Sequence, residues 1–182
     1  MNWEQALTDY KYYLRIERGL SDNSVQAYVR DIRKFAEYLE DTEQKTLPVK
    51  ISETEVREFV YKTSNLISAR SQARLISGLR SFFDYLIFED YRSDNPTDLI
   101  ESPKLGRKLP DTLSEEDIDA IFSQIDRSTP EGERNRAMLE TLYGAGLRIS
   151  ELIGLRVRDL SLDEGLVSVL GKGDKRRIVP LG

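Results

Sequence analysis

Two short stretches carry side chains whose types and spacing could act on a phosphate. In Gly144-Ala145-Gly146-Leu147-Arg148-Ile149-Ser150-Glu151 the glycines can end one helix and start another almost at once, with Arg148 near the new N-terminus. The helix dipole disfavours a cation there, whereas a phosphate could be met by free backbone N–H groups together with a guanidinium. Glu151, one turn on, could hold that guanidinium in orientation, although the same two residues could equally form an ordinary surface ion pair. In the second stretch Lys172 lies between Gly171 and Gly173, at the expected tip of a hairpin. A mobile ammonium at such a tip can reach a phosphate, and a charged tip also keeps a hairpin soluble.

Other phosphate cradles fail on spacing. Gly144-Ala145-Gly146 has Ile149 where a dinucleotide fingerprint needs its third glycine, and it follows a helix rather than a strand. Between Gly165 and Gly171-Lys172 stand five residues instead of four, with Gly173 where magnesium would need Ser or Thr. The 182 residues include no cysteine and no histidine, which excludes disulfides, thiol nucleophiles, thiolate metal sites and histidine bases. No apolar run is long enough to cross a bilayer, and the start reads as an amphipathic helix rather than a leader, so a cytoplasmic location is expected. A formal net charge of -5 weighs against a polyanionic partner, but net charge averages over faces. Arg30, Arg33 and Lys34 cluster, as do Arg70, Arg74 and Arg80, and then Lys172, Lys175, Arg176 and Arg177. Solvated helix faces would account for the first two clusters as well as a nucleic-acid surface would.

Helical periodicity dominates the elements that must position these groups. Trp3, Leu7, Tyr10 and Leu14 share one face up to Gly19; Ser21 caps a second helix striped by Val25, Val29, Ile32, Phe35, Ala36 and Leu39. Ser52 and Glu55 form a capping box before Val56, Phe59 and Val60, and a long fourth helix runs from about Ser68 to Tyr91. Residues 93–111 then concentrate Asn95-Pro96, Ser102-Pro103, Gly106 and Pro110, which reads as an interdomain linker with one short helical turn at 97–101. Further helices are expected from Ser114 to Ile125, Glu131 to Tyr143 and Arg148 to Leu155, followed by a hairpin of 166–170 and 176–179. The expected organisation is a helical domain at 1–92, the linker, and an incomplete mixed domain at 112–182. A few helices with a two-stranded ribbon leave an open edge and a thin core, so more chain is expected after the hairpin.

The run from Leu142 to Leu152, then Leu155 and Asp159, then Gly171 to Leu181 resembles the first half of the catalytic domain of tyrosine recombinases of the phage-integrase type. Residues 24–35 with Tyr28 and Asp31, residues 74–85, Asn95-Pro96, and 102–110 resemble the helical core-binding domain and linker of the Xer subfamily. Ala145 stands where many members carry Thr. The resemblance covers essentially the whole chain. It implies a mainly α fold: a four-helix, SAM-like core-binding domain followed by the first part of an α+β catalytic domain with a β-hairpin. It also implies a site-specific recombinase that cuts and rejoins duplex DNA through a 3′-phosphotyrosine with no metal or other cofactor, acting as a homo- or heterotetramer on paired sites, in chromosome dimer resolution and partition. Residue by residue, Arg148 resembles the arginine that contacts the scissile phosphate, Lys172 the hairpin lysine that protonates the departing 5′-oxygen, and Glu151 the supporting acid.

The resemblance also exposes what is missing. The family needs a His-x-x-Arg motif, a further His or Trp, and a nucleophilic tyrosine, all beyond the hairpin, and this chain has no histidine. Tyr10, Tyr28, Tyr38, Tyr85 and Tyr143 precede Arg148 in helical patterns and are expected to pack rather than react. The chain alone is therefore expected not to cleave DNA. The resemblance implies that the N-terminal bundle clamps one face of a duplex; Arg30, Arg33, Arg70, Arg74, Lys175 and Arg177 are the candidate DNA contacts. A non-catalytic, integrase-like DNA-binding module is the alternative; a helix-turn-helix regulator would leave the Arg148 and Lys172 stretches unexplained.

Overall fold

The computed structural model describes residues 1–106, 109–171, 173 and 175–181. Lys172, the expected hairpin lysine, lies outside the described residues. The chain divides into two compact units, 1–108 and 109–182.

The first unit is a bundle of α1 (Trp3–Tyr12), α2 (Asp22–Asp41), α3 (Glu53–Ser64) and α4 (Ala69–Phe88). Each begins at a polar cap that the sequence supplies: Asn2, Ser21, Ser52 and Ser68 accept the backbone N–H three residues on. Ser52 and Glu55 complete a reciprocal capping box. Helix α1 widens into a π-helical segment at Tyr13–Glu17 before Gly19 ends it. The apolar stripes meet in one core in which Tyr10, Phe35, Phe82, Phe83, Ile32, Leu79 and Leu86 are fully buried. Trp3 stands edge-on to Phe35 and stacked on Phe82, and its indole N–H donates to the Thr46 carbonyl at 3.0 Å.

The segment after α4 departs from the linker expectation. Asn95, Thr97 and Ile100 are buried in the first unit. The Asn95 amide donates to the Asp84 carboxylate (2.6 Å) and the Arg80 carbonyl, while its oxygen accepts from the Thr97 N–H and hydroxyl. Residues 95–100 are thus pinned to α4, and only the breakers beyond them remain as connecting chain.

The second unit contains α5 (Glu115–Ser123), α6 (Pro130–Gly144) and the short α7 (Ile149–Ile153), then β1 (Leu160–Ser161), β2 (Leu166–Leu170) and β3 (Arg176–Pro180). The strands form one antiparallel sheet in the order β1-β2-β3, so the expected hairpin has an additional short edge strand. Val167 pairs with Val179 and Val169 with Arg177, which places these four on one face. The core beneath that face is small, formed by Ala145, Leu147, Val167 and Val169 with half-buried Leu142, Leu152, Leu155, Leu160 and Val179 around them. Tyr143, expected to pack within a helix, is instead mostly exposed and meets Phe122 edge-on.

Candidate active site around Glu151

The turn between α6 and α7 sets the position of Arg148. Gly146 adopts φ +57, the left-handed conformation that glycine tolerates best. Its N–H donates to the Tyr143 carbonyl and the Leu147 N–H to the Leu142 carbonyl, a Schellman closure that satisfies the end of α6. Leu147 is thereby driven into the core, and the extended Arg148 caps α7. Helix α7 has five residues, shorter than the expected 148–155. So short a helix has little macrodipole, and the chemistry of the site rests on the guanidinium rather than on the helix end.

Glu151 is the centre of the arrangement. Its side chain is 3% exposed. The Arg148 backbone N–H donates to its Oε2 at 2.8 Å, and Arg148 Nη1 donates to Oε1 at 2.8 Å. From β3, Arg177 donates through Nη1 to Oε1 at 2.6 Å and through Nη2 to Oε2 at 2.9 Å, a bidentate fork. The Arg177 hydrogen bonds, followed by the Arg148 N–H, hold the Glu151 carboxyl far below the usual carboxylate range, against the opposing effect of burial. The same contact raises the Arg177 guanidinium. Gly171 permits the approach: a Cβ there would stand 3.2 Å from Arg177 Nη1 and 3.5 Å from Glu151 Oε1. Arg148 itself keeps 67% of its side chain exposed, with one nitrogen anchored and the rest of the guanidinium facing outward. A buried carboxylate thus fixes an arginine whose free edge can meet a phosphate.

Arg177 therefore has a different position from the one expected. Parity in β3 shows why: residues 177 and 179 share a face, and Val179 is the apolar one. Arg176 takes the opposite face, donating to Asp159 Oδ1 at 3.1 Å and to the Ser168 hydroxyl at 3.3 Å, which lowers the Asp159 carboxyl. Lys175 is exposed beside the tip.

The candidate contacts of the first unit separate in the same way. Arg30, Arg33 and Arg70 are exposed. Arg33 borders the groove between α1 and α2, and Lys11, which sequence reasoning passed over, joins Arg30 and Arg33 along it. Arg74 instead forks onto Asp31, Nη1 to Oδ2 at 2.5 Å and Nη2 to Oδ1 at 2.8 Å, and Asp31 is buried. A Cβ at Gly78 would stand 3.0 Å from Asp31 Oδ2, so the packing of Asp31 against α4 is tight at this glycine.

The family described as "Phage integrase, N-terminal SAM-like domain" matches residues 7–90, and the "Phage integrase family" matches residues 111–182. The chain is 46% identical over 180 residues to the tyrosine recombinase XerD of Oceanobacillus iheyensis, covering 98% of this chain and 60% of that protein. The chain belongs to the phage integrase family. Among its tyrosine recombinase relatives, XerD of Listeria monocytogenes strain F2365 is 42% identical over 97% of this chain and 60% of its own length. The chain spans about 60% of the length of these curated relatives. Its fold is shared with a lambda integrase solved as a tetramer bound to a Holliday junction: the TM-score is 0.77 at 18% identity, over 99% of this chain and 51% of that one. Among the described residues no helix is long and apolar enough to cross a membrane.

Proposed function

We propose that this chain is the DNA-binding part and the first catalytic part of a Xer-type site-specific recombinase, acting on duplex core sites as one subunit of a multimer. The observation that supports this reading best is the buried Glu151 carboxylate holding Arg148 and Arg177 together, with Arg148 left open on its outer edge. Arg148 contacts the scissile phosphate and stabilises charge on its pentacoordinate transition state. Glu151 and Arg177 position it, and Lys172 is assigned to proton transfer at the departing 5′-oxygen by its match to the family's hairpin lysine. Chromosome dimer resolution is the corresponding cellular role, in keeping with relatives named XerD. The nucleophilic tyrosine and the His-x-x-Arg motif are not among these 182 residues, so the chain by itself binds without cleaving. Arg30, Arg33 and Arg70 are the phosphate contacts of the first unit, and Lys175 that of the second.

A titration against a duplex core site and a scrambled duplex, at low and physiological salt, tests this function. Tighter, salt-dependent binding to the core site is expected, with the slope of log K against log salt falling by about 0.9 for each phosphate contact removed. Replacing Arg30, Arg33 and Arg70 with Ala together should lower that slope by roughly 2–3 on the same scale. Equal, weak binding to both duplexes would overturn the core-site reading, and a covalent adduct formed by this chain would overturn the assignment of inactivity.

A further inference from the structure

The first unit carries a second recognition feature of opposite sign. Where α1 passes into its π-helical segment, a cleft of about 320 Å3 opens against the C-terminal end of α4. Tyr12, Tyr13, Tyr85 and Tyr91 line it, with Asp9, Glu17 and Glu89 among them. We propose that this cleft takes the guanidinium or ammonium group of an arginine or lysine presented by a basic segment of a partner protein.

Three observations point to that occupant. Four tyrosine rings line the cleft, with the Tyr13 and Tyr85 centroids 4.9 Å apart, and aromatic faces attract cations. Among the described residues, none of Asp9, Glu17 and Glu89 has an ion-pair partner. Arg15, in the same segment, pairs with Asp22 at 3.6 Å, and among the described residues neither it nor Arg18 forms an ion pair with these three carboxylates. Tyr85 lines the cleft at only 3% exposure, and among the described residues its hydroxyl has no hydrogen-bond partner. Burial and then the neighbouring Asp9 and Glu89 carboxylates push the Tyr85 phenol up, so it stays protonated and brings no charge of its own. Asp9 accepts only the neutral Gln5 amide; a nucleic acid is repelled by these carboxylates, and an apolar segment would leave their charge uncompensated. The π turn, closed by the Arg18 N–H on the Tyr13 carbonyl at 3.1 Å, brings Tyr13, Ile16 and Glu17 to the same rim.

The test is an NMR titration of the whole chain with acetyl-Gly-Arg-Arg-Gly-amide, its citrulline counterpart and spermidine. The arginine peptide is expected to shift the ring resonances of Tyr12, Tyr13, Tyr85 and Tyr91 saturably, and the citrulline peptide to leave them in place. The double variant Glu17→Gln, Glu89→Gln should bind roughly five-fold more weakly or worse, since two surface charges are lost. Tyr85→Phe should weaken binding as well, with unchanged Trp3 fluorescence in both variants showing that the bundle is intact. Equal shifts with citrulline, unchanged affinity in the double variant, or shifts with spermidine but none with the arginine peptide would each overturn the proposal. Ring shifts that disappear on dilution without peptide would also overturn it, by showing that a second copy of the chain occupies the cleft.

Discussion

The two units solve the problem of burial differently. The first closes a core around four interlocked aromatic rings, Tyr10, Phe35, Phe82 and Phe83, and buries the segment after α4 as well. The second buries four small or medium apolar residues and leaves Ile149, Ile153, Val157, Leu162 and Ile178 largely exposed. What organises the second is polar: Glu151 joins α7 to β3, and Asp159 meets Arg176. Packing fixes the bundle, and charge-assisted hydrogen bonds fix the candidate active site, so the two should respond to different perturbations.

Core truncation should separate them most. Phe82→Ala is expected to cost the first unit about 3–5 kcal/mol, read from Trp3, the only tryptophan, whose ring stacks on Phe82. Methyl resonances of Val167 and Val169 should keep their own melting transition; a single shared transition would break the comparison. Asp31→Ala should cost about 1–3 kcal/mol by releasing the Arg74 fork that joins α2 and α4, measured by urea unfolding. Gly78→Ala sets about 1 kcal/mol of helix propensity against an overpacking penalty of about 1–3 kcal/mol at Asp31, so a net loss is expected; a net gain would show that Asp31 gives way.

The smallest effect, and the one that sharpens the contrast, is acid titration of the second unit. Glu151 is depressed in the folded state, so its contribution is complete above the unfolded carboxylate value of about 4.3 and fades as the pH falls from there toward the folded value. The sheet resonances should therefore weaken below about pH 4, and Glu151→Gln should abolish that dependence while leaving Trp3 unchanged. The effect is modest because Arg148 is two-thirds exposed and solvent screens it.

The four helices of the first unit were legible because each begins at a capping side chain and carries one apolar stripe. Ser52 with Glu55 and Ser114 with Asp117 are found as capping boxes in the structure. Phe82 and Phe83 are adjacent, yet in a four-helix bundle the core reaches far enough round α4 to bury both. Residues 95–100 looked like linker because breakers say nothing of burial; two of the four hydrogen bonds of Asn95 go to Asp84 and Arg80, which only folding brings near. Arg148 and Glu151 were legible as a pair from their spacing. The carboxylate partners of Arg74 and Arg177 were not legible because they lie 43 and 26 residues away in sequence. For Arg177 a signal existed in the parity it shares with Val179.

Adjacent arginines in β3 have a consequence for the accuracy of assembly. If β3 slipped by one residue, Arg176 could face Glu151 in place of Arg177, and the charge contact alone would hardly register the error. The neighbours would: Ile178 would then replace Val179 opposite Val167, and Arg177 and Val179 would turn to the other face. The attraction that orients the site is indifferent to this one-step mistake, and the task of rejecting it falls to a pair of valines.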